Sequence, residues 1–148
     1  MSSMLRLLLA VLMVTSVTAC AYRPVATPDR TVPVTMHTSK EQIKQAILTT
    51  LEARTWTVDS IGPDVIQAEV EVRSKYSAKI DITFDANHYR ISYRDSQALG
   101  YKDGKIHRSY NRWVTLLDRG IMSKLKGEES DKQTARDVAE LQGKVATH

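Results

Sequence analysis

The strongest order in this chain is a two-residue alternation through its middle. In Val65–Arg73, Ile66, Ala68, Val70 and Val72 alternate with Gln67, Glu69, Glu71 and Arg73. Tyr76–Asp85 repeats the pattern, with Tyr76, Ala78, Ile80, Ile82 and Phe84 against Ser77, Lys79, Asp81, Thr83 and Asp85. Tyr89–Arg94 continues it with Tyr89, Ile91 and Tyr93. Upstream, Trp56 and Val58 alternate with Thr55, Thr57 and Asp59. Such alternation predicts four strands of an antiparallel sheet with one wet face. Gly62-Pro63 marks a turn. A three-residue loop at Arg73-Ser74-Lys75 sets Val72 opposite Tyr76 and Glu69 opposite Lys79. Asp85–His88 forms a further turn, with Asn87 suited to a left-handed conformation.

Two segments change to helical spacing. Ser39 followed by Gln42 has the form of a capping box, and Ile43, Ala46, Ile47, Thr50 and Leu51 lie on one face of a helix over about 40–53. Ile106, Tyr110, Trp113, Val114, Leu117, Ile121 and Leu125 form a second stripe, predicting a helix to about Lys126. Gly120 within it marks either a close backbone approach or an early end. Val34–Met36 reads as a short opening strand. Asp95–Lys105, with Gly100 and Gly104, reads as a loop. The expected fold class is α+β: a two-layer sandwich, a four-stranded antiparallel meander packed by two helices, order (β)αββββα. Trp56, Ile80, Ile82, Trp113 and Leu117 are expected in its core.

The ends differ from this domain. Residues 1–19 hold Arg6 and then an uncharged apolar run, the layout of a secretory signal peptide. The run from Leu7 to Ala21 is short of the roughly 20 residues that span a bilayer. Residues 20–33 carry Pro24, Pro28 and Pro33 without any apolar period, and read as an extended tether of roughly 40 Å reach. The domain then occupies 34–126. Residues 127–148 are polar, with a faint stripe of Ala135, Val138, Leu141 and Val145; a loose helix and a disordered tail both fit.

Val17-Thr18-Ala19-Cys20 resembles a bacterial lipobox, the motif of lipoproteins cleaved before an acylated cysteine. Cys20 is the chain's one cysteine, so it has no intrachain disulfide partner. The resemblance implies lipidation at Cys20 and a membrane partner reached through that lipid. Acyl chains anchor a protein without spanning the bilayer. Ala21 rather than Asp after the cysteine implies the periplasmic side of the outer membrane, with the inner membrane as the alternative.

Composition adds little to this. Of 148 residues, 42% are hydrophobic and 26% charged, which suits one globular domain. Loss of residues 1–19 removes only Arg6, leaving 20 basic against 17 acidic side chains, too weak a balance to argue for nucleic acid. His37, His88, His107 and His148 have no metal-ligand spacing, and no phosphate-binding loop or nucleophile elbow is present. No metal, cofactor or catalytic set is expected. Glu69, Glu71, Asp81 and Asp85 alternate with Arg73, Lys79 and Arg90 as a charge-balanced wet face.

The remaining candidate patch is the loop–helix junction: Ser96, Tyr101, His107, Arg108, Asn111 and Arg112. His107 and Asn111 share a face if the helix starts early. Arg108 and Arg112, four apart, repel unless something anionic is near. Ser109 or Asn111 capping the helix, and His107 bonding a loop carbonyl, account for the same residues structurally. The stretch also resembles a group of small proteobacterial envelope proteins, often lipoproteins, over roughly residues 40–125. They share a Ser-x-x-Leu-x-Tyr loop and an Ile-His-x-x-Tyr-Asn-x-Trp-Val helix. The matching positions here are Ser96, Leu99, Tyr101, Ile106, His107, Tyr110, Asn111, Trp113 and Val114. That group implies an envelope setting and no activity. Two classes stay open. One is a non-enzymatic binding or structural module whose partner is an envelope protein or an anionic envelope component. The other is a small periplasmic ligand-processing enzyme using His107 and Asn111. A deep pocket converging on titratable groups would favour the enzyme, and a shallow patch the module.

Overall fold

Two helices cover one face of an antiparallel sheet in the computed structural model, which describes residues 21–145. The protein is α+β. The expected signal segment 1–19, the lipidation site Cys20 and residues 146–148 lie outside the described residues. The element order is β1 (Tyr22–Pro24), β2 (Asp29–Thr31), a 3-10 turn (Val34–Met36), α1 (Lys40–Ala53), β3 (Thr57–Ile61), β4 (Val65–Val72), β5 (Tyr76–Phe84), β6 (His88–Gln97), β7 (Lys105–His107) and α2 (Arg108–Val145).

The alternation in the middle of the chain becomes a meander, β6-β5-β4-β3, extended by β2 at its edge into five strands. Val72 pairs with Tyr76 and Glu69 with Lys79, as the loop length requires. Ile66, Ala68, Ile80, Ile82, Tyr89 and Ile91 are fully buried beneath the helices. Each of these isoleucines stabilises the fold by about 1.5–3 kcal/mol relative to exposure. The opposite face is wet but ordered. Asp59 and Arg94, each the extra residue of a β-bulge, meet across the sheet with Arg94 Nη2 2.7 Å from Asp59 Oδ2. Ser60 donates to Gln67 and Gln67 to Asp81, whose carboxylate forms an ion pair with Arg94.

Helix α1 begins as its sequence predicts. Ser39 accepts from the Gln42 amide, and the Gln42 side chain accepts from the Ser39 amide. Ile43, Ala46, Ile47, Thr50 and Leu51 are its buried residues. Gly120 is explained by close approach of the two helices. A Cβ there would lie 2.5 Å from Thr50 Cγ2.

Five expectations need correction. Val34–Met36 is a 3-10 turn rather than a strand, because the chain must swing from the sheet edge to α1; His37 closes it in a left-handed conformation. Residues 21–33 are not a free tether. Tyr22–Pro24 pairs with β7 and Asp29–Thr31 with β6, while Val32 is fully buried. The prolines are compatible with this, since edge positions need only carbonyls; Pro28 accepts from the Ile91 amide. Asp95–Lys105 is not wholly a loop, because β6 runs on to Gln97 and Lys102–Lys105 closes a tight hairpin into β7. The Asp85–His88 turn is closed by the Asp85 side chain accepting from the Asn87 amide, and Asn87 is not left-handed. Finally, α2 starts at Arg108 and does not stop at Lys126. It runs to Val145, with Gln133–Glu140 exposed throughout.

The expected core residues Trp56, Ile80, Ile82 and Leu117 are buried, whereas Trp113 is only half-buried at the core margin. A buried residue outside the apolar pattern is Asp118, only 2% exposed. Its carboxylate accepts from Arg30 Nε at 3.0 and 3.1 Å, from Arg30 Nη2 at 2.6 Å, and from the Tyr89 hydroxyl at 2.8 Å. Burial first, then the bond to Asp118, pushes the Tyr89 phenol well above its ordinary range, so it remains a donor.

Gly120→Ala tests the helix contact. Alanine gains about 1 kcal/mol in helix propensity, but the Thr50 hydroxyl is bonded to the Ala46 carbonyl at 2.7 Å, which pins its rotamer. The variant should therefore lose net stability, by about 1–3 kcal/mol from overpacking. Adding Thr50→Ser, which removes Cγ2, should restore part of that loss. Urea unfolding of the two variants checks both statements; a stabilised Gly120→Ala would show that the helices are further apart.

Candidate functional site

The junction singled out by the sequence is a real structural corner, but its residues divide into separate tasks. His107 ends β7, so it shares no helix face with Asn111. Its amide donates to the Leu99 carbonyl at 3.0 Å, which holds the preceding loop. Its Nδ1 accepts from the Ser109 amide at 3.2 Å and so caps one of the free N–H groups at the start of α2. Tyr22 meets the imidazole edge-on, with centroids 6.1 Å apart.

Asn111 faces the N-terminal segment. Its Oδ1 accepts from the Ala26 amide at 2.9 Å and its Nδ2 donates to the Pro24 carbonyl at 2.8 Å. The amide thus pairs with the backbone as a neighbouring strand would. It occupies a position where β1 has ended and no strand is available.

Ser96 and Tyr101 belong to an aromatic column. Tyr101 stacks on Tyr93 at 4.3 Å, and Tyr93 meets Tyr110 edge-on at 5.6 Å. Ser96 Oγ lies 2.9 Å from the Tyr93 hydroxyl. The column runs from an exposed ring to a fully buried one. Burial raises the Tyr110 phenol, whose hydroxyl has no partner among the described residues. Arg108 and Arg112 are exposed, and neither forms an ion pair among the described residues.

A cleft of about 460 Å³ opens beside His107. Val72, Arg73 and Tyr76 at the β4–β5 hairpin tip form one side, and Ala98 and Leu99 the second. Ser109 and Trp113 of α2 close the third. Arg73 and Ser74 adopt left-handed φ values of 56° and 49°, which turns the hairpin tightly and brings Arg73 to the rim. Lys75 lies over the Tyr76 ring at 5.3 Å. The floor is apolar and aromatic, and the rim is cationic. Of the candidate residues, only His107 lines it. Val72, Arg73, Tyr76 and Trp113 were not among them. The stripe pattern assigns Trp113, Val72 and Tyr76 to the core, but all three are only partly buried at its margin. Nothing in spacing connects Arg73 with His107. Among the described residues, no three His, Cys, Asp or Glu side chains gather as a metal site.

Asn111→Ala should release residues 24–26 without moving α2. The Ala26 amide should then exchange with solvent at least about tenfold faster, since losing a bond worth about 1.5 kcal/mol corresponds to that factor. Amide hydrogen exchange measures this directly. Unchanged protection of Ala26 would mean that Asn111 does not hold the segment.

Neither a family model nor a curated protein sequence matches this chain. What this corner does must be read from its own residues.

Proposed function

We propose that this chain is a lipid-anchored cell-envelope protein whose folded part is a non-enzymatic binding module. The cleft between the β4–β5 tip and α2 is its binding site. The anchor is Cys20, its thiol acylated before residues 1–19 are cleaved off, and the location is the periplasmic side of the outer membrane. The apolar leader ending in Val17-Thr18-Ala19-Cys20 supports the anchor. Among the described residues the first strand begins at Tyr22. Among the described residues no helix is long and apolar enough to cross a membrane.

The cleft itself carries the binding reading. Its Tyr76, Trp113, Val72 and Leu99 walls suit an apolar or aromatic group, and Arg73 at the rim suits a negative charge beside it. Its only other titratable lining groups are His107 and Tyr76. The enzyme alternative needs Asn111 beside His107. Both polar atoms of the Asn111 amide are engaged by Pro24 and Ala26, which favours the binding module.

Two measurements test the two halves separately. Metabolic labelling with a clickable fatty acid should mark the parent and not Cys20→Ser; equal labelling would remove the anchor. For the cleft, 1-anilinonaphthalene-8-sulfonate is an apolar anion of suitable chemistry. In a Trp56→Phe background it should quench Trp113 saturably, and Arg73→Gln should weaken binding by about tenfold, the loss of one charge-assisted contact. Non-saturable quenching, or unchanged affinity in Arg73→Gln, would count against the site.

A further inference from the structure

The cations on the strands of the five-stranded sheet differ from those around the β1–β7 ribbon. In the five-stranded sheet, Arg30, Lys79, Arg90 and Arg94 each pair with a carboxylate. Around the β1–β7 ribbon and the first turns of α2, five exposed cations have no such partner among the described residues: Arg23, Lys102, Lys105, Arg108 and Arg112. The fold brings them to one end of the molecule, with Lys105 on the ribbon face of Tyr22 and His107 and Arg23 on the other. Arg23 pairs in register with Ile106 and Pro24 with Lys105, while Lys102 bridges to Lys105 across the tight hairpin. Arg108 and Arg112 follow one turn apart. The one carboxylate within this set is Asp103, between Lys102 and Lys105. The placement is unfavourable for the isolated domain. Arg108 repels Arg112, and both lie near the positive end of the α2 dipole.

Two further observations say what lies opposite. The chain enters the fold here, because the Ala21 carbonyl accepts from the Arg108 amide at 2.9 Å. Any lipid on Cys20 is therefore attached one residue from this surface. Tyr22 and Tyr101 are 46% and 48% exposed at the same corner. Tyr22 is held in place, since its ring lies where a Cβ on Gly100 would be, 2.7 Å away. Exposed tyrosines beside a basic cluster are the side chains that settle at a bilayer's head-group level.

We infer that this end of the molecule lies against a bilayer rich in anionic phospholipid, with its cations near head-group phosphates and Tyr22 and Tyr101 at the interface. The inference rests on the proposed anchor, which selects the end that meets lipid. It adds that the domain is oriented on the membrane rather than suspended above it. The paired segment 21–32 leaves no free spacer in that arrangement. The cleft, whose rim includes His107, then opens beside the lipid surface.

The test uses the chain from Ala21 onward, which contains every described element and no cysteine, so its outcome does not depend on whether Cys20 is acylated. It should sediment with vesicles of equal phosphatidylcholine and phosphatidylglycerol, and not with phosphatidylcholine alone. Rising salt should release it. Lys102→Glu/Lys105→Glu should lower partitioning by about tenfold or more. Lys124→Glu/Lys126→Glu, the same net-charge change further along α2, should leave it within about twofold. Arg108→Gln/Arg112→Gln serves as a second variant should the first fail to fold by circular dichroism. Equal sedimentation with both vesicle types, or equal losses in the patch and control variants, would overturn the inference. Fatty-acid labelling of Cys20 judges the anchor separately.

Discussion

The carboxylate of Asp118 is the constraint around which this fold is organised. It sits on the apolar stripe of α2, between Val114 and Ile121, and is almost fully buried. A buried carboxylate without partners is strongly destabilising, and with good hydrogen bonds it is tolerated and specifies geometry. Here the partners come from two distant places. Tyr89 is on β6, and Arg30 is on β2, the short edge strand of the N-terminal segment. One group therefore fixes the helix over the sheet and fixes the N-terminal segment over both. The Arg30 guanidinium is held further toward its charged form, chiefly by that hydrogen bond and then by the Asp118 charge. Half of its side chain remains in solvent, so it covers the carboxylate as a lid.

This has consequences for the corner where function is proposed. Once β2 is fixed, β1 can pair with β7, Asn111 can take hold of Pro24 and Ala26, and Tyr22 can pack on Gly100 and His107. His107 is then positioned from three sides, by Leu99, Ser109 and Tyr22. The cleft that it lines is thus shaped partly by residues that never touch it. The same docking brings Ala21 to the basic end of the molecule.

Much of the sheet and of both helices was legible in the sequence because period and burial coincide there. The alternation from Val65 to Arg94 fixed faces and register, and the Ser39–Gln42 box fixed the start of α1. Residues 21–33 have no period, since β1 and β2 are short exposed edge strands held by backbone bonds and by Arg30, and composition alone suggested a tether. Asp118 had a visible signal, a carboxylate i+4 from Val114 and three before Ile121 on an apolar stripe. Its partner Arg30, 88 positions earlier, had none. Asn111 was recognised as unusual, but its amide holds main chain rather than a ligand. Arg73 reached the cleft through hairpin geometry, which spacing does not encode.

A double-mutant cycle on Arg30 and Asp118, read by urea unfolding, tests this account most directly. Arg30→Met should destabilise the protein by about 2 kcal/mol, the range for a hydrogen-bonded charge left without its partner. In the Asp118→Asn background the same change should cost much less, giving a coupling of at least about 1 kcal/mol. A loss below about 0.5 kcal/mol for Arg30→Met, as for an ordinary surface pair, would contradict the claim that Asp118 ties β2 into the fold.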